Sequence, residues 1–167
     1  MWRTACCKCY PRMWERLQRY KALDPASRRM FRRAVILLPL VRCSLRLRGY
    51  GKTFTSLQKR VRSQAAGLET RPEVREAVQL TCRMVRAAVH YSPIQFTCLE
   101  ESLTLWYLLR GQGIPACLRI GVRKEKAEFE AHAWVEHGGE ALNQLDALHH
   151  HYAAFDEELL EPPAEQP

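Results

Sequence analysis

Cys98 stands at the head of an apolar segment, FTCLEESLTLWYLLRGQGIPACLRIGV, and His132 follows within AHAWVE. A cysteine opening a helix meets unsatisfied backbone N–H groups and the positive end of the helix dipole, which favour a thiolate and can hold an oxyanion. A histidine on a neighbouring strand can pair with that thiolate and later protonate a leaving amine, provided a third group fixes the imidazole tautomer. The chemistry these residue types support is acyl transfer through a thioester. The third group is sought after Gly138-Gly139, a two-residue hairpin signal. With those glycines as the loop, Trp134 falls opposite Asn143 and His132 opposite Leu145, with Asp146 next in line. Asn143, on register, and Asp146, on charge, are the candidates to orient His132.

These side chains need a helix and a hairpin to carry them. A helix is expected from Cys98, after Thr97 or Phe96, to about Gly111, and Gly113-Ile114-Pro115 turns the chain into a short strand, CLRIGV. After a charged loop, RKEKAE, alternation over Phe129 to Glu136 puts His132, Trp134 and Glu136 on one face and Ala131, Ala133 and Val135 on the other. The returning strand should run to about Leu145, followed by a terminal helix in HHHYAAFDEELL and a loose acidic tail. Upstream, a first helix is expected over about Met13 to Leu23. Asp24-Pro25 then opens a second, whose face repeats Met30, Ala34, Leu37, Leu38, Val41 and Leu45, kinked by Pro39 and ended by Gly49. Further helices are expected from about Phe54 to Ala66 and from a Thr70 cap through Val74, Val78, Cys82, Val85 and Val89 to His90, joined by the linker QAAGLETRP. The fold class read from this pattern is α+β. Residues 1–68 form a basic helical region packing on a core at 69–157, and 158–167 form the tail.

The 167 residues suit one core, and 47% hydrophobic with 26% charged residues is ordinary for a globular protein. Charge is distributed unevenly. Residues 1–66 hold 17 basic and 2 acidic side chains, whereas 67–167 hold 9 and 16, so the chain is basic at one end and acidic at the other. The basic end supports three readings: a solvated helix face, docking to an acidic partner, or binding to nucleic acid or an anionic membrane surface. Aromatic residues are not interleaved there as a stacking platform requires, which argues against nucleic acid. Seven cysteines at irregular spacings and the absence of an apolar signal core favour a reduced, cytoplasmic setting. The longest apolar run, Ala34 to Val41, is too short to span a bilayer, so no transmembrane segment is expected and membrane contact would be peripheral. Cys6-Cys7-x-Cys9 lacks a second ligand pair, His149-His150-His151 reads as a solvated run, and neither a metal nor another cofactor is expected. Gln95, three residues before Cys98, could donate to an oxyanion but reads more simply as a polar loop residue; Trp134 could shelter the site or merely fill the core. Glu100 and Glu101 read as exposed, since a carboxylate aimed at Cys98 would oppose the thiolate.

CLEESLTLWYLLRGQGIPACLRIGVRK followed by AHAWVEHGGEALNQ resembles the transglutaminase-like cysteine peptidase of lasso peptide biosynthesis, the leader peptidase half of the split maturation protein B. The arginine-rich LLPLVRCSLRLRGYG is similar to that family's N-terminal helical region, so the resemblance covers roughly residues 13 to 156. It implies a transglutaminase-like, papain-like core with Cys98 as nucleophile and His132 as base, removing the leader from a ribosomally made precursor peptide. It also implies two partners besides the precursor: a small leader-recognition protein and an asparagine-synthetase-like ATP-dependent cyclase. The family's third catalytic residue is an Asp, commonly in an Asn-Asp pair, whereas this chain reads Asn143-Gln144 and offers its nearest Asp at Asp146. The role of orienting His132 is thus open among Asn143, Gln144 and Asp146. Two alternatives stand beside the peptidase: acyl transfer to an amine, as in transglutaminases, and a non-catalytic leader- or partner-binding module whose site has degenerated.

Overall fold

A computed structural model of the chain describes residues 18, 20–62, 72–125, 128–143 and 153–154. Among the described residues, helices α1 (Pro25–Arg62), α2 (Pro72–Tyr91) and α3 (Cys98–Arg110) precede a small antiparallel sheet of β1 (Cys117–Glu125), β2 (Glu128–His137), β3 (Glu140–Ala141) and β4 (Ala153–Ala154). The α+β class expected from the sequence is the one observed. Most of the first expected helix, the linker, Cys6, Cys7, Cys9, the histidine run and the acidic tail lie outside the described residues.

Helix α1 begins as its sequence dictates. Asp24 Oδ2 accepts from Ser27 N–H at 3.0 Å, and Pro25 occupies the first turn, where its missing N–H costs nothing. The helix is broken at Gly49, whose φ of 74° and ψ of 176° belong to a region open essentially to glycine alone, while Pro39 stays within helical dihedrals. The backbone therefore changes direction where the glycine stands, as expected, and resumes as a helix to Arg62. The apolar face expected from the sequence is the inner one: Met30, Ala34, Leu38 and Val41 are buried, with Leu37 and Leu45 packed against them.

Helix α3 occupies the middle of the molecule, packing on α1, α2, β1 and β2. Ser102, Leu103, Thr104, Leu105, Trp106, Leu108 and Leu109 are all buried, as fits a helix that is apolar nearly all round. Its side chains join Val74, Val78 and Val85 of α2 and Leu118 and Val135 of the sheet in one core with the α1 face. That core continues from α1 into α3 and the sheet, across the expected division at residue 68.

The sheet order is β3-β2-β1-β4, all neighbours antiparallel. Gly138 and Gly139 take φ of 58° and 82°, the pair of positive values that a two-residue hairpin turn demands. Glu136 pairs with Ala141 and His137 with Glu140, the register expected from that loop. Three expectations are corrected. RKE, read as loop, is strand: β1 runs on to Glu125, with Lys124 opposite Phe129 and Glu125 opposite Glu128. Ala153-Ala154, read as terminal helix, pairs with Val122 and Gly121, because the free edge of β1 offers backbone partners that override local helix propensity. The returning strand ends at Ala141, not Leu145, with Leu142 and Asn143 in a bend.

Candidate active site

Cys98 is half-buried and is the first residue of α3. Thr97 is its N-cap in a reciprocal capping box: Thr97 Oγ1 accepts from Glu100 N–H at 3.3 Å, and Glu100 Oε2 accepts from Thr97 N–H at 2.8 Å. Of the four N–H groups that a helix start leaves without intrahelical acceptors, the box satisfies those of Thr97 and Glu100. Those of Cys98 and Leu99 point from the same turn that carries the thiol. The T-x-x-E spacing that builds the box is legible in the sequence, and it overturns the reading of Glu100 as exposed: the residue is 6% exposed. Its neighbour Glu101 is also partly buried rather than solvated.

A second group that the sequence did not single out fixes this turn from outside. Arg42 of α1 donates to the backbone carbonyl of Gln95, lies 3.6 Å from Glu100 Oε2 and sets its guanidinium 5.9 Å from the centre of the Phe96 ring. One planar cation therefore holds the segment before Cys98 by a hydrogen bond, an ion pair and a cation–π contact. Gln95 takes part through its main chain, and its side chain is at an exposed position.

The strand that carries His132 is tied to the nucleophile's helix. Ser102, fully buried, donates from Oγ to Ala133 O at 2.9 Å, and Asn143 Nδ2 donates to the same Oγ at 2.8 Å. Asn143 Oδ1 in turn accepts from Val135 N–H at 2.8 Å. Helix α3, β2 and the bend after β3 are thus laced together by two short polar side chains. Cys98 lies about one turn, about 6 Å along the axis, before Ser102 on the same helix face, and His132 is the chain neighbour of Ala133. A serine four residues after the cysteine, on the same helix face, was the sequence signal for this tie.

On β2 the expected alternation holds. The His132 ring stacks on Trp134 at 6.2 Å between centres and 16° between planes, and Trp134 Nε1 donates to Glu136 Oε1 at 2.8 Å. Glu136 Oε2 accepts from Arg119 Nε at 3.0 Å across the hairpin. Trp134 is 2% exposed, so its indole backs the imidazole with a fixed apolar wall, and Glu136 and Arg119 fix the indole. Neither Arg119 nor Glu136 was a candidate from sequence, because a cross-strand ion pair depends on register. Asn143 was a candidate, and its contacts are with Val135 and Ser102; Gln144 and Asp146 lie outside the described residues.

Where α2 packs on α3, Cys82 and Arg86 of α2 interact electrostatically with Glu101 of α3. Burial pushes the Cys82 thiol up to about 11, against the opposing pull of Arg86. Cys43, by contrast, is exposed. Iodoacetamide at neutral pH, with labelled sites mapped by mass spectrometry, should therefore modify Cys82 after both Cys43 and Cys98. Cys82 labelling as early as Cys43 would contradict the buried α2–α3 contact. Burial also holds the Glu101 carboxyl above the usual carboxylate range, offset in part by Arg86. The folded state then binds this proton more tightly than the unfolded chain. Its contribution to stability is complete below the ordinary carboxyl range and is lost as the pH rises through the raised value. Glu101→Gln should flatten that fall in denaturant titrations run across mildly acidic to neutral pH; an unchanged slope would show that Glu101 is solvated.

Among the described residues no group of three or more His, Cys, Asp or Glu side chains is arranged to hold a metal ion, and no helix is long and apolar enough to cross a membrane. No curated protein and no solved structure matches the chain. The family model of the transglutaminase-like superfamily matches residues 37–155, from within α1 through the cysteine helix and the histidine hairpin to just past β4. With well over half of its 167 residues matched, the chain belongs to the transglutaminase-like superfamily.

Proposed function

We propose that this protein is a cysteine peptidase that removes the leader from a ribosomally synthesised lasso precursor peptide in a cytoplasmic setting. The observation that carries the reading is the tie between the turn of Cys98 and the strand of His132 through Ser102 and Ala133. Superfamily membership is compatible with cysteine peptidase or acyl-transfer chemistry and supports the coarser part of this reading. In the proposed reaction the Cys98 thiolate attacks the scissile carbonyl carbon, and the N–H groups of Cys98 and Leu99 stabilise the oxyanion. His132 protonates the departing amine as the C–N bond breaks, leaving a thioester on Cys98. Water, deprotonated by His132, then hydrolyses the thioester and restores the thiol. Asn143 is engaged with Ser102 and Val135, so we assign the orientation of His132 to Asp146, whose carboxylate would also stabilise the imidazolium.

The partners that accompany this reading are the precursor, a small leader-recognition protein and an ATP-dependent cyclase of asparagine-synthetase type. The test combines the protein with a precursor and its recognition protein and follows the products by mass. Free leader and core peptide whose masses sum to that of the precursor plus one water support hydrolysis. A product in which the acyl half is joined to an added amine would replace the peptidase by a transglutaminase-type transfer, and an intact precursor would favour the binding module.

A further inference from the structure

The core-facing side of α1 was legible in its sequence, but its outward side carries a second pattern. Arg29, Arg33, Ile36, Leu40, Cys43 and Leu47 follow one another in alternating steps of four and three residues, which places them on one strip of the helix. All are exposed, Ile36 by 62%, Leu40 by 59% and Leu47 by 85%, while Met30, Ala34, Leu38 and Val41 are buried on the opposite side. Arg32, Arg46 and Arg48 flank the strip and are also exposed. Across its 38 residues α1 contains 11 basic side chains and no acidic one. Among the described residues, none of the arginines on or beside the strip is paired with an acid.

Charge and shape select the occupant. A second copy would set one wholly basic helix against another. Nucleic acid would satisfy the arginines but leave three protruding aliphatic side chains against phosphate. An ordered acidic protein would need a surface moulded to a strip that offers no aromatic anchor of its own. A fluid bilayer requires no such fit: its anionic headgroups meet the arginines and its acyl boundary admits the side chains between them. We infer that the outward strip of α1 docks on an anionic membrane surface, with Arg29, Arg32, Arg33, Arg46 and Arg48 on headgroups and Ile36, Leu40 and Leu47 inserted at the acyl boundary. The helix lies along the surface, since its other side is held in the core. This inference is independent of the peptidase reading.

The full-length protein is sedimented with vesicles of phosphatidylcholine alone and of phosphatidylcholine mixed with phosphatidylglycerol. Binding is expected to the mixed vesicles only and to weaken as salt is raised. Replacing Arg29, Arg32 and Arg33 together by Gln should weaken binding roughly a hundredfold, at about fivefold per charge. Replacing Ile36, Leu40 and Leu47 together by Ser should weaken it at least about tenfold, from the loss of buried methylene groups. All six positions are exposed, so helix content by circular dichroism should be unchanged in both variants. Wild-type protein that stays in solution with the mixed vesicles overturns the inference, as does a serine variant that binds like wild type; the strip would then be left to an acidic protein.

Discussion

Replacing Cys98 with alanine is expected to reduce leader release by at least about 10⁴-fold, because the nucleophile and the thioester it forms are both removed. His132→Ala should fall in the same range, and the double variant should be little worse than either single one, since residues acting as a unit lose their function together. The measurement is single-turnover cleavage followed by mass, with circular dichroism to show that the fold survives. Cys98 is only half-buried at a helix start, so the loss of its sulfur should leave the core of Leu103, Leu105 and Leu109 in place. Cleavage by Cys98→Ala at near the wild-type rate would remove the peptidase reading altogether. The Cys43→Ala variant is the control, because that thiol is exposed on the outer strip of α1 and should be silent in this assay.

Arg42→Ala is expected to cost roughly 3 kcal/mol of stability, the range found when one partner of a buried ion pair is removed. Glu100 would stay buried, held through the capping box but with its cation gone. The same substitution releases Gln95 and Phe96, so the turn that presents Cys98 should lose order and activity should fall further than stability alone predicts. Arg42→Lys should recover only part, since an ammonium cannot serve a carbonyl, a carboxylate and a ring at once. Glu100→Gln in the Arg42→Ala background should restore stability, because a neutral amide keeps much of the capping box without a buried charge. Denaturant midpoints of the four proteins provide the comparison. An Arg42→Ala protein as stable and as active as wild type would mean that the clamp is a surface contact of little consequence.

How much of this site could be read from the chain follows from the range of each interaction. The start of α3 was legible because capping is local: Thr97 and Glu100 stand three residues apart, and the T-x-x-E pattern lies in the sequence itself. The hairpin register followed from Gly138-Gly139, since a two-residue turn fixes which residues face one another. That register also held His132, Trp134 and Glu136 on one face. The length of β1 and the pairing of Ala153-Ala154 were misread for the opposite reason. Charged and alanine-rich segments have weak strand propensity, and the open edge of a partner strand decides their conformation.

The inward face of α1, the break at Gly49, the helix start at Cys98 and the histidine strand were all determined by the sequence itself. Each depends on spacing within a few residues, where propensity, capping and periodicity act directly. Only the tertiary structure decided that Ser102 meets Ala133, 31 residues away, and that Arg42 reaches the Gln95 carbonyl, 53 residues away. It alone decided that Glu100 is buried and that Ile36, Leu40 and Leu47 are not. A helix with apolar residues on two sides can bury only the side on which its neighbours pack, and the choice of side belongs to the whole chain.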